Sequence, residues 1–188
     1  MMVRRLFLLG FSAALAAAYG CSSNSSDSGG GTTTPTIACT DGGPAAADGV
    51  TLRCGGTTST TTANVTVVLG GTAAGTTTLR GLNFDITYDP AKVSFTAAGT
   101  YTSPLFPTAL IAVQLANGTP GRVVVSIQQT GGSPDVTVPA GQSTVLTLSF
   151  ARAAGATFTP TPLVLENTEA TAPSAPIGFT SVLALSYS

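Results

Sequence analysis

From Ala63 to the C-terminus, apolar side chains recur at every second position, the pattern of strands that bury one face. Asn64 to Leu69 sets Val65, Val67 and Leu69 on one side. Leu82, Phe84, Ile86 and Tyr88 alternate with Asn83, Asp85, Thr87 and Asp89, and Val93 and Phe95 resume the pattern after a turn. Arg122 to Gln128 aligns Val123, Val125 and Ile127, and Ser143 to Arg152 aligns Leu146, Leu148 and Phe150. Leu163 with Leu165, and then Leu183, Leu185 and Tyr187 within Val182 to Tyr187, complete the series, with Tyr88 and Tyr187 assigned to the core. Turn formers separate the runs: Gly70-Gly71, Asp89-Pro90, Asn117-Gly118, Gly131-Gly132 and Pro139-Ala140-Gly141. Thr108 to Ala116 is apolar all round, and its length does not separate helix from strand; we read it as a strand. Short strands, frequent turns and no βαβ unit predict an all-β domain, a two-sheet sandwich over residues 63–188 with its apolar faces about 10 Å apart.

The first residues follow a different rule. Arg4 and Arg5 precede an apolar run from Leu6 to Ala18, and small residues follow it, which is the layout of a secretory signal. The run is shorter than the roughly 20 apolar residues that span a bilayer. Ala18-Tyr19-Gly20-Cys21 resembles a bacterial lipobox, in which the Cys becomes the lipidated N-terminus. The competing reading is cleavage after Ala16-Ala17-Ala18, which releases a soluble secreted protein. Cysteine arithmetic favours the lipobox: lipidation of Cys21 leaves Cys39 and Cys54, an even pair suited to a disulfide in an oxidising compartment. Ser22 to Thr36 is a Ser/Gly/Thr tether, 15 residues that reach roughly 20 Å on average. In lipoproteins of this type a Ser after the Cys implies outer-membrane sorting, so the expected location is the outer membrane or cell surface. The chain thus divides into a signal (1–20), a tether (21–36), a stapled segment with a Thr-rich linker (37–62) and the sandwich (63–188).

Composition narrows the chemistry. His and Trp are absent, and only 8% of residues are charged. A Ser-His-Asp or Cys-His relay and a His-ligated metal are therefore excluded. Without the signal, five basic and eight acidic side chains remain, a net charge of −3, which offers no basic stripe for a nucleic acid. Cys39 and Cys54 bracket fourteen residues, too far apart for a Cys-x-x-Cys redox pair and too few donors for a metal, so they are read as a disulfide.

At Gly81-Leu82-Asn83-Phe84-Asp85-Ile86-Thr87-Tyr88-Asp89-Pro90, followed by Val93 and Phe95, the sequence resembles a cohesin domain. The Gly-led strand at Gly121 to Ile127 and the strand Leu146-Thr147-Leu148-Ser149-Phe150 fit the same pattern, so the resemblance spans residues 63 to 188. It implies a jelly-roll sandwich that binds dockerin modules, with relatives that bind carbohydrate. It also implies that outward polar residues on the strand before Tyr-Asp-Pro contact the partner. Asn83 occupies one such position; Gly81 stands where the family has an Asn. Alternation adds Asp85 on the same side, so Asn83 and Asp85 are the candidate partner-binding residues.

No catalytic pair emerges. Asp85 and Asp89 lie four residues apart on one strand, about 13 Å, beyond either glycosidase spacing. Glu166 and Glu169 flank a turn-like Asn167-Thr168 without the acidic ladder of a calcium loop. The Gly-rich stretches lack the context of a phosphate cradle. The chain is read as non-enzymatic, without metal or cofactor. Of the aromatics, Tyr101 in a loop is the one free to stack on a sugar, which makes it the candidate carbohydrate residue. The expected function is a lipid-anchored binding module for a dockerin-like protein; the alternatives are a carbohydrate-binding module or a structural envelope lipoprotein. Lipidation is tested directly by radiolabelled palmitate, expected to enter the wild-type chain and not Cys21→Ser; equal labelling of both contradicts it.

Overall fold

The computed structural model describes residues 37–55, 60–156, 160–180 and 183–187. The signal, Cys21, the tether and the Tyr187 side chain lie outside the described residues. Thirteen strands are described: β1 (Ile37–Thr40), β2 (Gly49–Cys54), β3 (Thr62–Gly71), β4 (Thr78–Leu79), β5 (Gly81–Thr87), β6 (Val93–Phe95), β7 (Ala109–Leu115), β8 (Arg122–Gln129), β9 (Val136–Thr137), β10 (Gly141–Arg152), β11 (Thr161–Thr171), β12 (Gly178–Thr180) and β13 (Leu183–Tyr187). They form a six-stranded sheet in the order β1-β13-β11-β5-β8-β7 and a five-stranded sheet in the order β12-β2-β3-β10-β6. A two-residue ribbon, β4 with β9, lies apart from both. All pairings are antiparallel except β12 with β2.

The alternation read from the sequence produces the core. Val65, Val67 and Leu69 from β3 and Leu146, Leu148 and Phe150 from β10 meet Leu82, Phe84 and Ile86 from β5 and Val123, Val125 and Ile127 from β8, all essentially without solvent contact. Each such side chain contributes about 1.5–3 kcal/mol by leaving water. Phe150 sits beneath Tyr88, edge-on with ring centroids 5.6 Å apart, and beside Phe95 at 5.2 Å. Burial raises the Tyr88 phenol above its ordinary pKa, opposed by a backbone hydrogen bond at Phe95. The 108–116 segment is a strand, β7, at the edge of the six-stranded sheet.

Two expectations change. The sandwich does not begin at residue 63: β1 joins the six-stranded sheet beside β13, and β2 joins the five-stranded sheet beside β3. Ile37, Val50 and Leu52 are fully buried in the shared core. Too few apolar residues mark these strands for a periodicity argument, and β1 finds its partner at the far end of the chain. Gly70-Gly71 is also not a turn, because both residues extend β3 and pair with Gln142 and Gly141. Added Cβ atoms there would meet the Ala46 carbonyl oxygen at 2.1 Å and that of Pro139 at 1.9 Å, so two segments cross the strand too closely for any side chain.

The disulfide Cys39–Cys54 therefore joins a strand of one sheet to a strand of the other, with Cα atoms 5.7 Å apart. Beside it Asp41 accepts from Arg53 Nε at 2.8 Å and from the Cys54 amide at 3.3 Å. The Arg53 hydrogen bond holds the Asp41 carboxyl below its ordinary pKa. The loop closed by the disulfide has a sequence separation of 15. Its removal in Cys39→Ser/Cys54→Ser is expected to cost about 3 kcal/mol. In a domain of this size that lowers Tm by roughly 6–12 °C in calorimetry; an unchanged Tm contradicts the cross-sheet role.

Candidate functional site

Strand β5 lies between β11 and β8 in the six-stranded sheet, so its outward side chains form the middle of that sheet's exposed face. Register sets their neighbours: Asn83 faces Ser126 on β8 and Glu169 on β11, and Asp85 faces Val124 and Glu166. The pairing with β11 shifts by one residue between Glu166 and Glu169, a β-bulge. Asn167 within it adopts φ 46°, a left-handed conformation that Asn tolerates better than most side chains.

The bulge matters for Asp85. Alternation does place Asp85 with Asn83, but the residue is only 6% exposed. Its Oδ2 accepts from Arg122 Nε at 2.9 Å, from Arg122 Nη2 and from Asn167 Nδ2 at 2.6 Å. Arg122 reaches it diagonally from β8, and the bulge delivers Asn167 from β11. Asp85, a candidate partner-binding residue, is thus largely buried and joins three strands through Arg122 and Asn167. Asn83 remains half-buried, and its Oδ1 accepts from the Ser126 hydroxyl at 2.7 Å. Gly81 is buried, and a Cβ there would lie 2.2 Å from the Ile127 carbonyl oxygen. The position aligned with a family Asn therefore gives no side chain to the face.

Arg122, Ser126 and Asn167 also belong to this site, and the linear pattern did not mark them. β8 alternation puts Arg122, Val124 and Ser126 on one side, but only the register between strands shows that they meet Asp85 and Asn83. Glu166 and Glu169 are exposed on the same face. Among the described residues no group of three or more Asp, Glu, Cys or His side chains could hold a metal ion.

The Tyr-Asp-Pro turn closes one end of this sheet. Asp89 Oδ1 accepts from the Ala91 amide at 3.0 Å, while the Asp89 carbonyl accepts from the Lys92 and Val93 amides. Gly121 packs against that turn at φ 80°; an added Cβ would meet the Tyr88 carbonyl oxygen at 2.3 Å, so glycine is required there.

Tyr101 lies elsewhere. It lines a cleft of about 300 Å³ with Thr96, Thr100, Thr102, Thr147 and Ser149, against β10 of the five-stranded sheet. Its hydroxyl accepts from the Ala98 amide at 2.8 Å, and its ring packs on the core. It anchors its own loop, and the structure does not bring it together with Asn83 and Asp85.

No protein-family model and no curated protein matches the chain. Solved structures do. The sixth cohesin of scaffoldin B from Acetivibrio cellulolyticus, in complex with a Cel5 dockerin mutant, is similar at TM-score 0.52 and 14% identity, over 72% of this chain and 95% of that one. The third cohesin ScaC of Acetivibrio cellulolyticus, in complex with the ScaB dockerin, is similar at TM-score 0.50 and 11% identity, over 72% of this chain and 95% of that one. The seventh ScaB type I cohesin from Pseudobacteroides cellulosolvens gives TM-score 0.50 at 9% identity, over 72% and 88%. At such identities the likeness is one of fold, and the chain has a cohesin-like domain, as its Gly81–Pro90 stretch had implied.

The two outward residues of β5 should respond differently to truncation. Asp85→Ala strands Arg122 and Asn167 and is expected to cost roughly 1–3 kcal/mol in urea denaturation, against less than about 1 kcal/mol for Asn83→Ala. Equal, small losses contradict the structural assignment of Asp85.

Proposed function

We propose that this chain is a lipid-anchored envelope protein that displays a non-catalytic, cohesin-like module and captures a dockerin-like protein partner. The outer face of the six-stranded sheet is the capturing surface. The observation that carries the reading is the fold itself: cohesins solved in complex with dockerins share it. The face described above supports it. Its centre is a rigid polar framework, Asn83–Ser126 and Asp85–Arg122–Asn167, already hydrogen-bonded and so costing little to order on binding. Its exposed charges are Glu166 and Glu169, while Asp85 is neutralised by Arg122. A partner with basic residues opposite β11 complements that balance.

Cys21 as lipid attachment and Ser22–Thr36 as tether place the module at the outer membrane or cell surface in this account. No step of chemistry is assigned to it. The proposal is tested by capture of the full chain on a panel of immobilised dockerin modules. The wild type is expected to bind at least one, and Glu166→Arg/Glu169→Arg to bind it at least roughly tenfold more weakly with an unchanged Tm. Binding that is indifferent to the double substitution removes this face; no binding to any dockerin removes the partner class.

A further inference from the structure

The edges of the two sheets are unequal. β6 and β12, the edges of the five-stranded sheet, have three residues each. β1, one edge of the six-stranded sheet, has four, and its Ile37 amide already donates to the Thr60 carbonyl. The other edge is β7, seven residues long, with the sequence Ala-Leu-Ile-Ala-Val-Gln-Leu. It carries no charge, no proline and no bulge, the devices that ordinarily keep an edge strand from pairing with another chain. Leu110 and Leu115, the two large apolar side chains exposed among the described residues, are both on it, at 70% and 48%.

The hydrogen-bond parity of β7 follows from its neighbour. The Ala116 amide donates to the Arg122 carbonyl at 3.0 Å, in the same register that pairs β7 with β8. Antiparallel ladders alternate, so Gln114, Ala112 and Leu110 also turn their backbone groups toward β8. Ile111, Val113 and Leu115 turn theirs to the free edge, and no described residue takes them.

We propose that β7 is a self-association seam, on which a second copy of this chain pairs its own β7 antiparallel about a two-fold axis at Val113. In that register Val113 faces Val113 of the second copy, and Ile111 faces Leu115 twice. Every free backbone donor and acceptor of the three residues is then satisfied by its symmetry mate. On the core-side face, exposed Leu115 is covered by Ile111 of the second copy; on the outer face, Leu110 meets Ala116. The uncharged strand complements itself, whereas a charged partner would find no counter-charge along it. The seam is small beside the roughly 1,600 Å² of a standard interface, so the dimer is weak and concentration-dependent. The inference is independent of the partner proposed above.

The test is sedimentation of the full chain carrying Cys21→Ser, so that neither lipid nor thiol joins two copies, together with amide hydrogen exchange. The expected result is a reversible monomer–dimer equilibrium, with exchange at Ile111, Val113 and Leu115 slowing as concentration rises. Leu115→Lys and Val113→Pro should each weaken the dimer by at least roughly tenfold. Val113 donates no hydrogen bond within the monomer, and Leu115 is half-exposed, so Leu115→Lys keeps the test valid if Val113→Pro misfolds. A trapped pair, Ala112→Cys/Gln114→Cys, should cross-link two copies under oxidation. A monomer at every concentration, a dimer untouched by Leu115→Lys, or protection of the three amides only when a foreign strand is added overturns the proposal.

Discussion

The register of β5 between β8 and β11 is the constraint on which the rest of the molecule depends. Because successive side chains of a strand point to opposite faces, one choice of register decides two things together. It sends Leu82, Phe84 and Ile86 into the core and leaves Asn83 and Asp85 on the outer face. A slip by one residue would exchange the two sets, put an Asp in the core and expose a Phe. The core is therefore what holds the outer face in place, and the outer face in turn locks the strands: Asp85 gathers Arg122 from one neighbour and Asn167 from the other. Outer face and scaffold are two sides of one strand.

The same economy appears where the two sheets are stapled. β1 is an edge of the six-stranded sheet and β2 lies between β12 and β3 in the other, and Cys39–Cys54 ties them together. A covalent link between the layers restrains their separation beside the buried Ile37, Val50 and Leu52. Exported proteins can use this device because their compartment is oxidising, in keeping with the export signal expected from the sequence.

Much of the fold was legible in the sequence, and the parts that were not share a physical cause. β3, β5, β8 and β10 carry enough alternating Val, Leu, Ile and Phe for period two to reveal them. β1, β2 and β12 do not: they are strands because distant segments pair with them, and a linear pattern contains no record of that pairing. The disulfide was readable because only one even pairing remained once Cys21 was set aside. The site was half legible. Alternation gave the side on which Asp85 lies but not its burial, which comes from Arg122 on the next strand and from a bulge with Asn167 in the left-handed region. Tyr101 was readable as a loop residue, but its bond to Ala98 and its packing on the core are tertiary facts.

The bulge between Glu166 and Glu169 decides whether Asn167 can reach Asp85. Cross-strand proton–proton contacts measured by NMR on the full chain test it directly. The expected contacts pair Asp85 with Glu166 and Asn83 with Glu169, a one-residue shift within two steps of β5. Contacts pairing Asn83 with Thr168, an unbroken ladder, would contradict it, because nothing would then deliver Asn167 to Asp85 and the preassembled face would not exist.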